Sequence, residues 1–386
     1  MRILEHPLWL VGFRPFFALA CLAGMALPVL WAFIFAGLAP APAGPFSPSQ
    51  WHAHEMFFGF GWAVLGGFLL TSTKNWVQIR GYHGAGLAFL AAAWLFERVG
   101  MAFGGDWPPL LFRLSNNLFL GSIVAMLLAT LIRHRQNDSY RDNYFFLVVL
   151  PAFLVSKNLM LSPEHFQTGW TMALGLFRMA FLVMLERTLT PFMKGAFQVT
   201  LLRNPRLDMA IKALGLPLVF ADLLPVPLSA GIALLLAVLL AVRFALWHPR
   251  KAASRIDIGI MYLGYLGIVA QLLVEAADRL FHPAWVGTLT VHVFTFGTMG
   301  LIIPAMLVRI SRGHTGRKVV FEAADKAALY IMVAAFALRV LAPQVAPGAY
   351  LAWIGLSAAC WCAAFAILAW RYIPVLARPR VDGKEH

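Results

Sequence analysis

The chain has 386 residues, 61% of them apolar and only 12% charged, against roughly 45 to 50% and about 25% in an ordinary soluble domain. That composition excludes a water-soluble enzyme and asks for lipid as the solvent. The formal net charge of +14 would suit nucleic acid, but the basic residues sit in short loops between apolar runs, so membrane lipid is the expected partner and nucleic acid is not.

Apolar stretches of about 20 residues cross a bilayer as helices, because lipid offers backbone polar groups no partner. In chain order they are predicted near 14–38, 52–73, 84–103, 111–132, 144–161, 167–189, 209–225, 227–247, 256–278, 285–309, 322–340 and 349–371. The N-terminal MRILEHPLWLVGFRPFF lacks a small-residue cleavage site after a short apolar core, so the first helix is expected to stay. Ala39-Pro40-Ala41-Pro42-Ala43-Gly44-Pro45 reads as a stiff, uncharged loop. The weakest division is Leu223-Leu224-Pro225-Val226-Pro227, where two prolines predict a tight turn between the seventh and eighth helices. No linker, internal repeat or low-complexity segment is evident, and 1–386 reads as one membrane domain. Cys21, Cys360 and Cys362 lie inside apolar stretches without a CxxC pair and say little about compartment.

Charge tests this division independently, since lysine and arginine concentrate in loops facing the cytoplasm. One alternate set of loops, with both termini, holds 25 of the 31 basic residues. The other holds Arg98, Arg113, Arg279 and Arg339, while Lys157 and Arg178 fall within spans. The expected fold is therefore all-α: a polytopic integral membrane protein of about twelve transmembrane helices with both termini cytoplasmic.

That topology sorts the histidines. His6, His83, His134, His248, His314 and His386 fall on the cytoplasmic side, where most accompany basic loop residues and read as solvated or headgroup contacts. His314, inside Ser311-Arg312-Gly313-His314-Thr315-Gly316-Arg317, could help grip an anion. Arg14 and Arg317 are the residues expected to hold a carboxylate or phosphate, such as a lipid phosphate or a cofactor carboxylate, because arginine presents a planar fork of donors.

The outer set is more telling. Trp51-His52-Ala53-His54-Glu55-Met56 places three ionisable groups where the second helix enters lipid, and such residues are usually functional there. Positions two apart on a helix are separated by about 200°, so His52 and His54 must address different neighbours. Glu55, three residues after His52, is expected on the His52 face, where it could orient the imidazole, bind a metal or carry protons. Gly59, Ala63 and Gly66 follow on that face and admit either a flat macrocycle or, more commonly, another helix. His292 lies about two turns inside the tenth helix. A lone buried histidine is more often structural, but at this depth a second imidazole could complete an axial pair on haem iron. His165 and His282, beside prolines in outer loops, read as surface residues. Arg113, Ser115, Asn116, Asn117, Lys157 and Asn158 add polar groups on the outer side, and Arg178, mid-span, needs a partner that the neighbouring sequence does not offer. The chain contains no GxxxxGK[ST], HExxH or GxSxG motif, which removes support for an ATP-driven pump, a zinc protease or a serine hydrolase.

Three blocks carry a family resemblance: Gly12-Phe13-Arg14-Pro15-Phe16-Phe17; Trp51-His52-Ala53-His54-Glu55-Met56-Phe57-Phe58-Gly59-Phe60; and His292 with Gly297, Gly300 and Arg309-Ile310-Ser311-Arg312-Gly313-His314-Thr315-Gly316-Arg317. In this order they resemble the NnrS family. Where that family often has a Pro-Asn-Trp turn after the second helix, this chain has Thr73-Lys74-Asn75-Trp76. The resemblance implies a haem- and copper-containing protein of the bacterial inner (cytoplasmic) membrane, associated with nitric oxide metabolism and nitrosative stress. His52, His54 and His292 are the expected metal ligands, with Glu55 beside them as the catalytic or metal-binding carboxylate. Haem b and copper would be the cofactors, nitric oxide or a related small molecule the substrate, and quinol or another carrier the electron donor. A copper or metal-complex transporter without haem, and a haem-binding regulatory or assembly factor, are the competing readings.

Overall fold

The structure, a computed structural model, describes all residues except 1, 2, 43, 45, 385 and 386, and only the backbone of Ile3, Arg141 and Asp142. Ala43 and Pro45 of the outer loop and His386 of the tail therefore lie outside the described residues. Among those described, every regular element is helical. Eleven helices are long and apolar enough to cross a membrane. In chain order the crossings are α1 Phe13–Phe35, α2 Pro48–Trp76, α3 Ala85–Phe103, α4 Pro109–Arg133, α5 Phe146–Leu161 and α6 Phe166–Phe197. A shorter α7, Pro205–Gly215, precedes α8 Val226–Leu246, α9 Ile256–Phe281, α10 Leu289–Gly313, α11 Ala323–Val345 and α12 Pro347–Leu376.

The expected continuous helix over 209–225 is broken. Asn204 starts α7 by accepting the backbone N–H groups of Arg206 and Leu207, and the helix gives way after Gly215 to a tighter run, Pro217–Leu223. Pro217 has no N–H to continue the ladder, and Phe220 leaves helical geometry at φ −107°, ψ 30°. The broken segment still covers the length of its neighbours. Near its start, Leu202 accepts from the Trp247 indole at 3.3 Å and Asp208 meets Arg243 at 3.2 Å, both at the end of α8. At its far end Asp222 meets Arg279, near the end of α9, at 2.8 Å. Among the described residues, eleven apolar helices and this broken segment make twelve crossings, an even number that puts the start of α1 and the end of α12 on the same side.

Contacts divide the chain into two compact units: Met1–Trp170 with Leu307–Val320 and Phe365–His386, and Thr171–Met306 with Phe321–Ala364. Each has its own close helix pair. In the first, a Cβ on Gly12 would stand 2.4 Å from that of Leu70, and one on Gly67 would stand 2.9 Å from Phe16. In the second, a Cβ on Gly267 would stand 2.6 Å from the Gly297 carbonyl oxygen. Without a hydrophobic force between helices in lipid, such small-residue approaches supply the packing.

Candidate functional site

The start of α2 is fixed by its own sequence. Ser47 accepts the Gln50 N–H at 3.2 Å and the Gln50 amide oxygen accepts the Ser47 N–H at 2.8 Å, so the two satisfy donors a helix start leaves open. The Gln50 amide also donates to the Met160 carbonyl at 3.3 Å on α5. This pins the next turn, which carries His52, His54 and Glu55, and from Glu55 to Gly61 the helix widens into π geometry. Such segments often mark functional positions because the extra residue frees backbone groups. Here the Gly59 carbonyl accepts from the Trp94 indole at 3.0 Å.

His54 and Glu97 are fully buried and Glu55 nearly so. His54 Nδ1 lies 3.2 Å from Glu55 Oε1, and its Nε2 lies 3.5 Å from Glu97 Oε1, beyond a made hydrogen bond. Arg98 reaches Glu97 at 2.7 Å and Glu55 at 3.2 Å, at ion-pair distance without directed hydrogen-bond geometry. Lys157 on α5 donates to Glu97 and to the Asn116 carbonyl on α4. Two carboxylates therefore face two cations around one imidazole. Burying these charges is expensive and is offset only because each meets an opposite partner. Of this cluster the sequence offered His54 and Glu55 outright and noted Asn116 and Lys157 as polar groups. It missed Glu97, whose signal is an acidic residue in the apolar run Leu95-Phe96-Glu97-Arg98-Val99.

Glu55 therefore sits with His54, not on the His52 face. His52 turns to α1, where its ring stacks on Trp31 with centroids 4.3 Å apart and planes 12° from parallel. The two histidines do address different neighbours, as their spacing requires. The Gly59–Gly66 face takes protein rather than a macrocycle: a Cβ on Gly59 would meet Arg98 at 2.2 Å, and one on Gly66 would meet Ile123 at 2.8 Å.

In the second unit, His292 Nδ1 donates to the Thr288 carbonyl at 2.8 Å and Nε2 accepts from Arg339 at 3.1 Å. Arg339 also donates to the Tyr350 hydroxyl at 3.3 Å. Helix α10 widens into π geometry just after His292, over Thr295–Met299, and α11 does so around Arg339, over Ala337–Leu341. A short pattern recurs in the two units. His54-Glu55-Met56-Phe57-Phe58-Gly59 and His292-Val293-Phe294-Thr295-Phe296-Gly297 share His, Phe and Gly at the same spacing, and the next helix of each carries Arg-Val, Arg98-Val99 and Arg339-Val340. In both, the imidazole packs tilted on the phenylalanine four residues on, at 5.6 and 6.2 Å. Six positions and one arginine are too short to read as a repeat without the geometry.

Arg14 and Arg317 meet no acidic side chain among the described residues. Arg14 donates to the carbonyls of Leu376 and Arg378 at 2.8 and 2.6 Å, and Arg317 to the Thr315 hydroxyl at 2.9 Å. Arg178 finds the partner that its neighbours in sequence lack, Glu275 at 2.7 Å with Gln271 at 2.9 Å, both on α9.

The donor set around His54 fits a metal at Nε2. His54 has its Nδ1 held by a carboxylate and its buried Nε2 without a hydrogen bond, the arrangement that orients a ligand imidazole. His292 does not fit as it stands, because Arg339 occupies its Nε2. Among the described residues no three His, Cys, Asp or Glu side chains are grouped to hold one metal ion. A haem axial position needs a single imidazole, whereas an all-protein copper site needs more donors.

Fold and site together define a multi-pass helical membrane protein with a charge-balanced, histidine-centred cluster buried among its helices. The chain belongs to the NnrS family, whose sequence model, described as NnrS protein, matches residues 7–380. That is a bacterial family of nitric-oxide-response membrane proteins. No curated protein matches the chain.

Proposed function

We propose that this protein binds or transforms nitric oxide, or a closely related small molecule, in the bacterial inner membrane and so limits nitrosative stress. Haem b and copper are the proposed cofactors, with quinol or a comparable carrier as electron donor. The observation that carries this reading is His54, enclosed in the membrane with Nδ1 tied to Glu55 and Nε2 available. A metal at Nε2 would supply a redox-active site for nitric oxide. Glu55 fixes the imidazole tautomer by holding the Nδ1 proton, which makes it the proposed catalytic or metal-supporting carboxylate. Glu97, Arg98 and Lys157 keep the surrounding charge balanced. His52 is the candidate for a second centre, on the opposite face. His292 would become a ligand only if Arg339 gave up its hydrogen bond, and Arg14 and Arg317 are the proposed anion contacts. The test is a reduced-minus-oxidised spectrum of the purified protein with metal analysis: haem that responds to nitric oxide supports the reading, and a protein purified without haem or copper contradicts it.

A second reading, a transporter of copper or a metal complex, is favoured by the break in α7 and the π segments of α2, α10 and α11, since transporters build their sites on discontinuous helices. Copper without haem, with uptake into vesicles, would select it.

A further inference from the structure

We propose that the cytoplasmic end of the first unit is a socket for a phosphate group, supplied either by an anionic phospholipid or by free phosphate. The socket is built where the C-terminal tail returns to the start of α1. Arg14, 1% exposed, clamps the end of α12 through one guanidinium nitrogen, which donates to both Leu376 and Arg378 carbonyls. Its other two nitrogens, Nε and Nη2, are buried without a hydrogen-bond partner. Burying charged donors unsatisfied is costly, so a clamp on the helix end explains only part of this side chain.

The surroundings point to an anion. Val381 donates to the Thr315 carbonyl at 3.1 Å and Arg380 to the His314 carbonyl at 2.9 Å, which lays the tail along the turn after α10. His314 packs against Phe13 with ring centroids 5.6 Å apart. This brings Arg317 and Arg380 close enough to repel Arg14, and Lys74 close enough to act on His314. Arg312 and Arg378 act on Arg317 in the same way. Among the described residues, the carboxylate that meets this group is Asp382, engaged by Arg380 at 2.9 and 2.5 Å. Gly316, at φ +79°, lets the turn pass there, since a Cβ would stand 2.7 Å from the Asp382 carboxyl carbon. The two open nitrogens of Arg14 ask for an acceptor, and a phosphate can accept from Arg14 and Arg317 together.

The purified full-length protein in neutral detergent is titrated with phosphatidylglycerol, phosphatidylcholine or inorganic phosphate while its thermal unfolding is followed. A saturable rise in melting temperature with phosphatidylglycerol, absent with phosphatidylcholine, is expected; the same rise with inorganic phosphate alone assigns the socket to free phosphate. Arg14→Gln removes the α12 clamp and is open to misfolding, so Arg317→Gln and Lys74→Gln carry the test. Each should weaken binding about tenfold, while Arg133→Gln, which removes the same charge from an exposed site outside the socket, should leave it unchanged. Equal shifts with phosphatidylcholine, no shift with any ligand, wild-type affinity in Arg317→Gln and Lys74→Gln, or an equal loss in Arg133→Gln would overturn the proposal.

Discussion

The Glu55 carboxylate closes on Nδ1 of His54, the residue immediately before it, at 3.2 Å, although neighbours on a regular helix project about 100° apart. The two side chains are held together by Arg98, which draws Glu55 from the other side at 3.2 Å, at the point where α2 begins its π segment. Glu55→Gln should keep the protein inserted and folded yet weaken metal at His54 by about 10- to 100-fold, the usual effect of losing a carboxylate behind a ligand histidine. Metal content after dialysis against a graded chelator measures this, and an unchanged metal affinity would remove Glu55 from the site.

Arg178 and Glu275 form a buried ion pair in the second unit, with side chains 1% and 6% exposed. Removing one partner leaves the other charge uncompensated, so Arg178→Ala or Glu275→Ala should each destabilise by about 3–5 kcal/mol, and replacing both by leucine should recover most of it. Unfolding in mixed micelles reads the difference. No loss in either single variant would mean that the pair does not hold the unit together.

Topology is open to labelling. In a cysteine-free background, single cysteines at Ala41, in the outer loop, and at Ala323, at the start of α11, are both exposed. They should react with an impermeant maleimide from opposite sides of the membrane. Reaction from one side only would mean that the broken α7 does not cross.

Acid should loosen the end of the first unit where the C-terminal tail meets α1. Burial, with the positive charges of Lys74 and Arg380, holds the His314 imidazole below its ordinary range. The unfolded chain therefore takes up a proton there before the folded one does. The stabilising contribution is complete above about pH 6.5 and is lost as pH falls below it. Thermal unfolding from pH 8 to 5 should fall less steeply in His314→Gln than in the wild type, and parallel curves would assign the acid sensitivity elsewhere.

Much of the fold was legible because lipid imposes long apolar runs and the basic loops alternate. The seventh crossing was misread because hydropathy does not register the break that Pro217 and Phe220 make in a helix that remains apolar. At the site, His54 and Glu55 stood out as ionisable groups in an apolar helix. Their pairing did not, because a π segment changes which side chains share a face and regular helical spacing put Glu55 with His52. Glu97 and Lys157 meet across 60 positions of sequence, and Arg339 reaches His292 across 47. Tertiary packing alone makes those contacts.

On the proposed reading, His54, not its neighbour on the opposite face, is the imidazole around which the first unit's membrane site is built. The most direct measurement is the reduced-minus-oxidised spectrum and metal content of wild type, His52→Ala and His54→Ala, purified in parallel with membrane insertion verified. His54→Ala should lose a haem band or the copper that His52→Ala retains, so that the two variants differ. Full haem and copper in His54→Ala would contradict it, leaving the buried ion-pair cluster as a structural feature of the helix packing.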